Sequence, residues 1–328
     1  MAVEIGEPSE EEQERVIQGF LSPYPVGFNR WASRLLVRQE RGGYGPWVEL
    51  PWHAGYDARI LAAGRRVNKW LYMLKSRKRG WSLKNTAMLV YRAMYMPHSS
   101  SIAVTWHEDA AYGKRDSIQE RMGVMYGSLP LWERRWTPAV KCPEGEFGVR
   151  GELVLAQHWH GGVETFGHIK IGTASPNIGA QADYNFAFLD EIERWQQPDQ
   201  TVSSVEGSVA RSGGVMVAGS TLTLESHPGS YLWRNLELAR RGEIDAEWMF
   251  VGFGSRPDDN EAAWEQKRRD AEAKGELVLF YRDNCRTLEE ALMATGTGLA
   301  DPESLAACNE GRRPLPLPPS LAEWAGVA

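Results

Sequence analysis

Short apolar runs, separated by polar turns and longer mixed stretches, recur along the middle of the chain. They occupy residues 70–74, 101–106, 184–189 and 215–218. Runs of this length that are apolar at most positions predict strands buried on both faces, as in a parallel sheet. The stretches between them are long enough for crossover helices. The pattern from about residue 49 to 255 therefore predicts an α/β fold, a mainly parallel sheet with helices on both faces.

The flanking regions have other patterns. Residues 1–48 contain an amphipathic helix candidate from Glu11 to Leu21, which would cap the central domain or contact a partner. Residues 256–328 contain a charged helix over 260–274 and a proline-rich stretch over 312–319 that cannot form regular structure. Two more strands, 152–157 and 168–172, are predicted to form a hairpin. We therefore divide the chain into an N-terminal helical extension (1–48), a central domain (49–255) and a C-terminal linker and tail (256–328).

A basic segment with a glycine follows the first central strand and precedes a helical stretch. It reads Lys75-Ser76-Arg77-Lys78-Arg79-Gly80-Trp81-Ser82. A loop between a strand and a helix N-terminus surrounds an anion with backbone N–H groups, so all eight residues are candidates for binding the phosphates of a nucleotide. The alternative is a basic surface turn that happens to contain a glycine and a serine.

The loop departs from the usual Gly-x4-Gly-Lys-Ser/Thr pattern, because Trp81 stands where the lysine belongs. A phosphate site needs a cation near the β- and γ-phosphates. We expect Lys75, at the end of the strand, to supply it. Arg77, Lys78 and Arg79 are further cations, but neighbouring side chains cannot all point inward.

Two acids follow the strand predicted over 184–189. A buried parallel strand ending in Asp190 and Glu191 delivers both carboxylates to the carboxyl edge of its sheet. Alternation would place the two side chains on opposite sides, so they can have different roles. Asp190 would hold Mg²⁺ together with the Ser82 hydroxyl, and Glu191 would orient and deprotonate a water molecule. Taken alone, the pattern also fits an ordinary strand meeting its loop.

The order of these motifs resembles the ATPase half of a tailed-phage large terminase subunit. The resemblance rests on the loop with Lys75 at its start, the 101–106 strand, Phe188-Leu189-Asp190-Glu191, and Gly219-Ser220-Thr221. It implies a P-loop NTPase of the ASCE or RecA-like class, which hydrolyses ATP with Mg²⁺ to translocate double-stranded viral DNA into a procapsid. Lys75 would be a displaced loop lysine, and Gly219, Ser220 and Thr221 would couple hydrolysis to movement.

The resemblance also implies partners. They are double-stranded DNA, a portal protein, a small terminase subunit and a homo-oligomeric ring on the portal, in which a cation from one subunit completes the site of its neighbour. Arg115 and Arg121 are candidates for that cation. The family's RNase H-type nuclease cannot be built from the residues after the linker. The expectation is an ATPase whose nuclease domain is missing from a fragment or encoded separately.

One family feature is not evident in the sequence. The adenine-binding glutamine expected upstream of the phosphate loop is replaced by the stretch 52–57, which offers Tyr56 and Asp57. How the base is held is left open by the sequence.

Composition adds little to the choice of function. The net charge of −6 does not decide whether the protein handles DNA, because a motor needs only weak local phosphate contacts. Three widely spaced cysteines argue for a reducing compartment and against a disulfide framework or zinc site. No apolar stretch approaches the ~20 residues that span a bilayer, so we expect no membrane partner and a location in the host cytoplasm.

A second function remains open. A helicase-like factor or a degenerate P-loop protein could bind nucleotide without packaging DNA. Trp81 favours the degenerate alternative because it removes the usual cation. The acids favour an enzyme, since a protein that only binds nucleotide needs no base.

Overall fold

The computed structural model describes residues 7–38, 43–113, 115–141, 151–158, 164–180, 182–223 and 226–293. Its strands are β1 (Leu36–Arg38), β2 (Tyr44–Pro46), β3 (Trp70–Lys75), β4 (Ser100–Thr105), β5 (Ala139–Lys141), β6 (Glu152–His158), β7 (Glu164–Thr173), β8 (Phe186–Asp190), β9 (Val215–Ser220) and β10 (Glu247–Val251). Its helices are α1 (Glu10–Phe20), α2 (Val26–Ala32), α3 (His53–Ala63), α4 (Trp81–Tyr95), α5 (Glu108–Tyr112), α6 (Ile118–Gly127), α7 (Leu131–Trp136), α8 (Pro198–Ser212), α9 (Tyr231–Arg240), α10 (Glu261–Ala273), α11 (Leu277–Asn284) and α12 (Leu288–Met293), with a 3₁₀ turn at Ile192–Arg194.

One large sheet organises these elements. Eight of the described strands form it in the order β10-β3-β9-β8-β4-β7-β6-β5. The pairs from β10 to β7 are parallel, whereas β6 is antiparallel to both β7 and β5. The mainly parallel sheet and the hairpin of β6 and β7 are therefore confirmed. β9 lies between β3 and β8, although it follows both of them along the chain.

Alternating side chains of the central strands divide the core between the two faces of the sheet. On β3, Leu71 and Met73 belong to the cluster that includes α4 and the N-terminal helices. Trp70, Tyr72 and Leu74 belong to the cluster formed with α8 and α9. The strands read as continuously apolar because both faces are covered, as the sequence predicts.

The regions outside the central sheet also pack against it. Phe28 of α2 makes an edge contact with Tyr91 of α4, with ring centroids 5.5 Å apart. After β10, α10 begins at Glu261 with Asn260 as its N-cap, as predicted for the charged helix, and Leu288 of α12 is buried in the second core cluster. Within the described residues, no helix is both long enough and apolar enough to cross a membrane. The proposed division into three regions stays a prediction.

A buried ion pair joins α3 to α4. Nζ of Lys84 lies 3.0 Å from Oδ2 of Asp57, and neither side chain is appreciably exposed. The Tyr24 hydroxyl also donates to Asp57. Burial lowers the pKa of Lys84 and raises the pKa of Asp57, because desolvation disfavours the charged form of each group. The pair fixes α3 against the helix that follows the phosphate loop.

Candidate functional site

The carboxyl ends of β3, β8 and β9 meet at one edge of the sheet. β3 ends at Lys75, β8 at Asp190 and β9 at Ser220. A pocket of about 500 Å³ opens at this edge. Ligand sites of open α/β sheets occur at this position, because the loops that follow the strands converge there. The topology therefore collects residues that are far apart in the sequence.

The loop between β3 and α4 turns sharply at Gly80. Gly80 is the N-cap of α4 and has φ +78°, a left-handed conformation that glycine adopts without steric cost. Its carbonyl oxygen accepts from the amide of Lys84 at 3.0 Å, which starts the helix. The Trp81–Tyr95 helix therefore presents its N-terminal amides, and the positive end of its dipole, beside the pocket.

Lys75 and Glu191 form an ion pair inside this site. Lys75 Nζ lies 2.8 Å from Glu191 Oε1, and Ser220 Oγ donates to Glu191 Oε2 at 3.3 Å. Arg194 Nε lies 3.4 Å from the same Oε2. Burial acts to raise the pKa of Glu191, but Lys75, Arg194 and Ser220 outweigh it and hold that pKa below its usual value. Glu191 is therefore a carboxylate at neutral pH, as a general base must be.

Asp190 and Ser82 form a second pair beside the first. Ser82 Oγ donates to Asp190 Oδ2 at 2.8 Å, while Oδ1 is buried without a hydrogen-bond partner among the described residues. Burial, and then the charge of Glu191, raise the pKa of Asp190 to about 6. A buried carboxylate oxygen without a partner, next to a serine hydroxyl, fits Mg²⁺, which is held by one or two protein oxygens and keeps several waters.

The backbone, rather than strand alternation, separates the two acids. Asp190 is the last residue of β8, but Glu191 lies beyond the strand in a left-handed conformation with φ +54°. The prediction that strand alternation separates the two side chains is therefore wrong. Glu191 lies outside β8, and the left-handed turn there directs its side chain to Lys75. Both acids stay at the same edge with different partners.

The remaining cations of the loop have different environments. Arg79 Nη1 lies 2.6 Å from Asp259 Oδ2, and both side chains are nearly buried. Arg77 Nε lies 3.1 Å from Asp283 Oδ1, and Arg77 is not part of the pocket lining. Lys78 is exposed and lines the pocket. Lys75 is thus the loop cation that the structure brings to the acids.

Trp81 has a packing role that the sequence does not reveal. Its buried ring makes an edge contact with Phe188 of β8, with centroids 4.9 Å apart. A Cβ at Gly219 would lie 2.5 Å from the Trp81 ring. Trp81 therefore anchors α4 to the sheet, and Gly219 leaves room for it.

The other predicted residues lie around this centre. Ser76 and Thr221 are buried, and neither hydroxyl has a hydrogen-bond partner within the described part of the chain. Tyr56 and Asp57, suggested for the base, are core residues instead: the Tyr56 hydroxyl donates to Asn85 at 2.7 Å and Asp57 pairs with Lys84. The sequence missed an apolar pocket wall formed by Val37, Trp47, Val48 and Leu50, beside His53. Arg121 of α6, one of the two arginines suggested as a cation from a neighbouring subunit, lines the same pocket.

Comparison with known proteins bears on the fold. The HK97 bacteriophage large terminase is 14% identical with a TM-score of 0.50, over 88% of this chain and 52% of that one. The large terminase ATPase domain of Thermus phage P74-26 is 15% identical with a TM-score of 0.48, over 76% and 98%. A large terminase from a thermophilic bacteriophage, in complex with ATP-γ-S, is 10% identical with a TM-score of 0.41, over 61% and 44%.

At these identities the likeness shows the fold alone. The chain has a P-loop NTPase fold. More particularly, it has the fold of the large terminase ATPase domain, as the resemblance implied. It spans about half the length of the HK97 protein. No family model matches the sequence, and the search of curated proteins gave no significant match.

Proposed function

We propose that this chain is a Mg²⁺-dependent ATPase, the motor subunit that translocates double-stranded viral DNA into a procapsid. The observation that carries the proposal is the pair of contacts at the sheet edge, Lys75 with Glu191 and Ser82 with Asp190. A cation, a hydroxyl, a metal-binding acid and an ionised base are the groups that phosphoryl transfer to water requires. The terminase-like fold supports DNA translocation as the work to which hydrolysis is coupled.

Each residue has a role in this proposal. Ser82 and Asp190 would hold Mg²⁺, which neutralises phosphate charge when bound. Lys75 would exchange its partner Glu191 for the γ-phosphate, because its ammonium lies 2.8 Å from that acid in the pocket that the loop lines. Glu191, released from the ion pair, would orient the attacking water and accept its proton. Substrate binding and activation of the base are thereby linked through one side chain.

Ser220 gives the coupling motif a physical connection to the base. Its hydroxyl donates to Glu191, and it is the last residue of β9. A shift of Glu191 during turnover would therefore displace Ser220 and its neighbours Gly219 and Thr221. On this proposal, the motif passes that shift to the regions that contact DNA, the portal protein, the small terminase subunit and neighbouring copies in a ring. The nuclease would act from a separate domain or chain.

Turnover is favoured over nucleotide binding alone. The argument for a degenerate loop came from Trp81, which fills the core between α4 and the sheet, while Lys75 lies in the pocket. A cation is thus present without a lysine at the usual position.

The test is the Glu191→Gln variant. Because general-base catalysis is worth about 10²–10⁴, its ATP turnover should fall by that factor while nucleotide affinity changes little. Steady-state ATPase assays with and without double-stranded DNA, and titration with a fluorescent ADP analogue, measure both quantities. Glu289→Gln, at an exposed position of α12, is the matched control and should behave as the wild type. Absence of ATP hydrolysis by the wild type, or unchanged turnover in Glu191→Gln, would refute the proposal.

A further inference from the structure

The pocket extends past the phosphate loop into a region that no part of the proposed chemistry uses. We propose that it is the base subsite, in which His53 Nε2 donates a hydrogen bond to a ring nitrogen of adenine held against Trp47 and Leu50. This inference rests on the proposed ATPase function and names how the base of its substrate is recognised. The sequence left that recognition open, since the expected glutamine is not evident.

The position of the apolar wall points to a nucleotide base. Val37, Trp47, Val48 and Leu50 line the same pocket as Lys75 and Ser82. Leu50 lies beside the phosphate loop, because a Cβ placed at Gly80 would be 3.3 Å from Leu50 Cδ1. A flat apolar base can therefore pack on this wall while its phosphates reach the loop. The charged part and the apolar part of the pocket match the two ends of one ligand.

The hydrogen bonds of His53 determine which of its nitrogens is available. Nδ1 lies 3.2 Å from the backbone nitrogen of Leu50, which can only donate, so Nδ1 accepts. An imidazole that accepts at Nδ1 carries its proton at Nε2. Nε2 is buried and has no hydrogen-bond partner among the described residues. The side chain lines the pocket, and we infer that a bound base accepts a hydrogen bond from this buried N–H.

The surroundings of His53 keep it neutral and in place. The side chain is 2% exposed, and its ring lies 4.4 Å from Trp52 and 5.5 Å from Trp47, measured between centroids. Burial, together with the charge of Lys84, lowers the pKa of the imidazole and outweighs Glu49 and Asp57, which act to raise it. Glu49 Oε1 lies 3.5 Å from Nδ1, farther than the Leu50 amide at 3.2 Å, and its interaction with His53 raises the pKa of the imidazole without offsetting burial.

Trp47 is fixed for stacking by the same group of residues. Its indole Nε1 donates to Glu49 Oε2 at 3.4 Å, and the ring is nearly buried. An aromatic ring held in one orientation loses little freedom when a base stacks on it. A purine would therefore meet an apolar surface and one in-plane donor.

The experiment replaces single ring nitrogens of ATP by C–H. Affinities of ATP and of its 1-deaza, 3-deaza and 7-deaza analogues are measured by displacement of a fluorescent ADP analogue in the presence of Mg²⁺. One analogue should bind the wild type about tenfold more weakly than ATP, because it leaves the buried Nε2 donor unsatisfied. In His53→Phe, ATP and that analogue should bind equally. His53→Gln retains a donor and should recover part of the preference.

Controls separate this inference from the proposed function. His227→Phe makes the same change at an exposed position and should retain the wild-type preference. Tripolyphosphate, which has no base, should displace the probe equally from the wild type and from His53→Phe. If ATP and tripolyphosphate bind but all three deaza analogues bind the wild type as ATP does, the His53 contact is refuted and the ATPase is not. If ATP is neither bound nor hydrolysed, the proposed function itself fails.

Discussion

Lys75 and Arg79 are cations of the same loop with opposite surroundings. Both line the pocket, but Lys75 is bonded to Glu191, whereas Arg79 is bonded to Asp259 and to the carbonyl oxygen of Arg77. An arginine whose donors are satisfied by a buried carboxylate is a structural anchor. A lysine beside the proposed base can reach the phosphates by a short movement of a flexible stem.

Substitution by alanine should separate the two roles. Lys75→Ala should lower ATP turnover by about 10²–10³, the loss typical when one group that stabilises transition-state charge is removed. Arg79→Ala should instead destabilise the fold by about 3 kcal/mol, because it removes the cation from the nearly buried Asp259 and leaves that carboxylate with the backbone amides of Gly254 and Arg256. ATPase assays and urea unfolding measure the two effects, and the partly exposed Arg77→Ala is the matched control. Retained turnover in Lys75→Ala, with loss in Arg77→Ala or Arg79→Ala, would show that an arginine holds the γ-phosphate.

The candidate site could be predicted in part because its residues lie next to the ends of apolar strands. Lys75, Asp190 and Glu191 follow from that position, since parallel strands deliver their carboxyl ends to one edge. The role proposed for His53 could not be recognised from the sequence, because it depends on one nitrogen bonding the backbone while the other has no hydrogen-bond partner among the described residues. Asp259 and Asp283, which pair with Arg79 and Arg77, are distant from the loop in sequence, and no local sequence pattern predicts these contacts.

At the scale of elements, α4 is fixed to the sheet by one large side chain fitted against a glycine. Trp81 begins the helix, packs on Phe188 of β8 and lies over Gly219 of β9. The same contact joins the loop before α4 to β8, which ends at Asp190, and to β9, which carries the proposed coupling motif. The packing of three elements therefore depends on the missing Cβ at Gly219.

Gly219→Ala should disturb this packing. A Cβ placed 2.5 Å from the Trp81 ring and 3.0 Å from the Met73 carbonyl oxygen forces the ring or the strand to move. Overpacking of this kind costs about 1–3 kcal/mol of unfolding free energy. Gly207→Ala, in α8 with nothing near its added methyl group, is the control and should be neutral or stabilising by up to about 1 kcal/mol. Urea denaturation of both variants measures the difference, and equal stability would contradict this account of Trp81.

The strands were the elements best predicted from the sequence. Their apolar runs match β3, β4, β8 and β9. A strand covered on both faces is apolar at nearly every position, so it is recognised as one continuous run. Turn conformations were not predictable in the same way. The left-handed backbone at Glu191, a residue that rarely adopts it, is imposed by its contacts with Lys75 and Ser220 rather than by local preference.

At the scale of the whole molecule, Arg121 decides whether the site is complete within one chain. The sequence alone suggested Arg115 or Arg121 as a cation donated to a neighbouring subunit. Arg121, on α6, lines the pocket of its own chain with Glu191 and Lys78, and its charge acts to lower the pKa of Asp190. Arg115 is exposed and is not part of that lining. We therefore expect Arg121 to act on the nucleotide bound to its own chain.

A subunit-mixing experiment tests whether Arg121 acts within its own chain. Arg121→Ala should lower turnover by about 10² or more, as expected for loss of a group that stabilises phosphate charge. When Arg121→Ala is mixed with Glu191→Gln, turnover should not exceed the sum of the separate proteins, because no chain then carries both groups. Arg115→Ala mixed with Glu191→Gln is the control, and its turnover should be that of its Arg115→Ala component. Wild-type turnover per chain should also stay constant on dilution into the monomer range, measured by sedimentation. Activity restored by mixing the Arg121 and Glu191 variants, or lost on dilution, would show that the arginine comes from a neighbouring subunit.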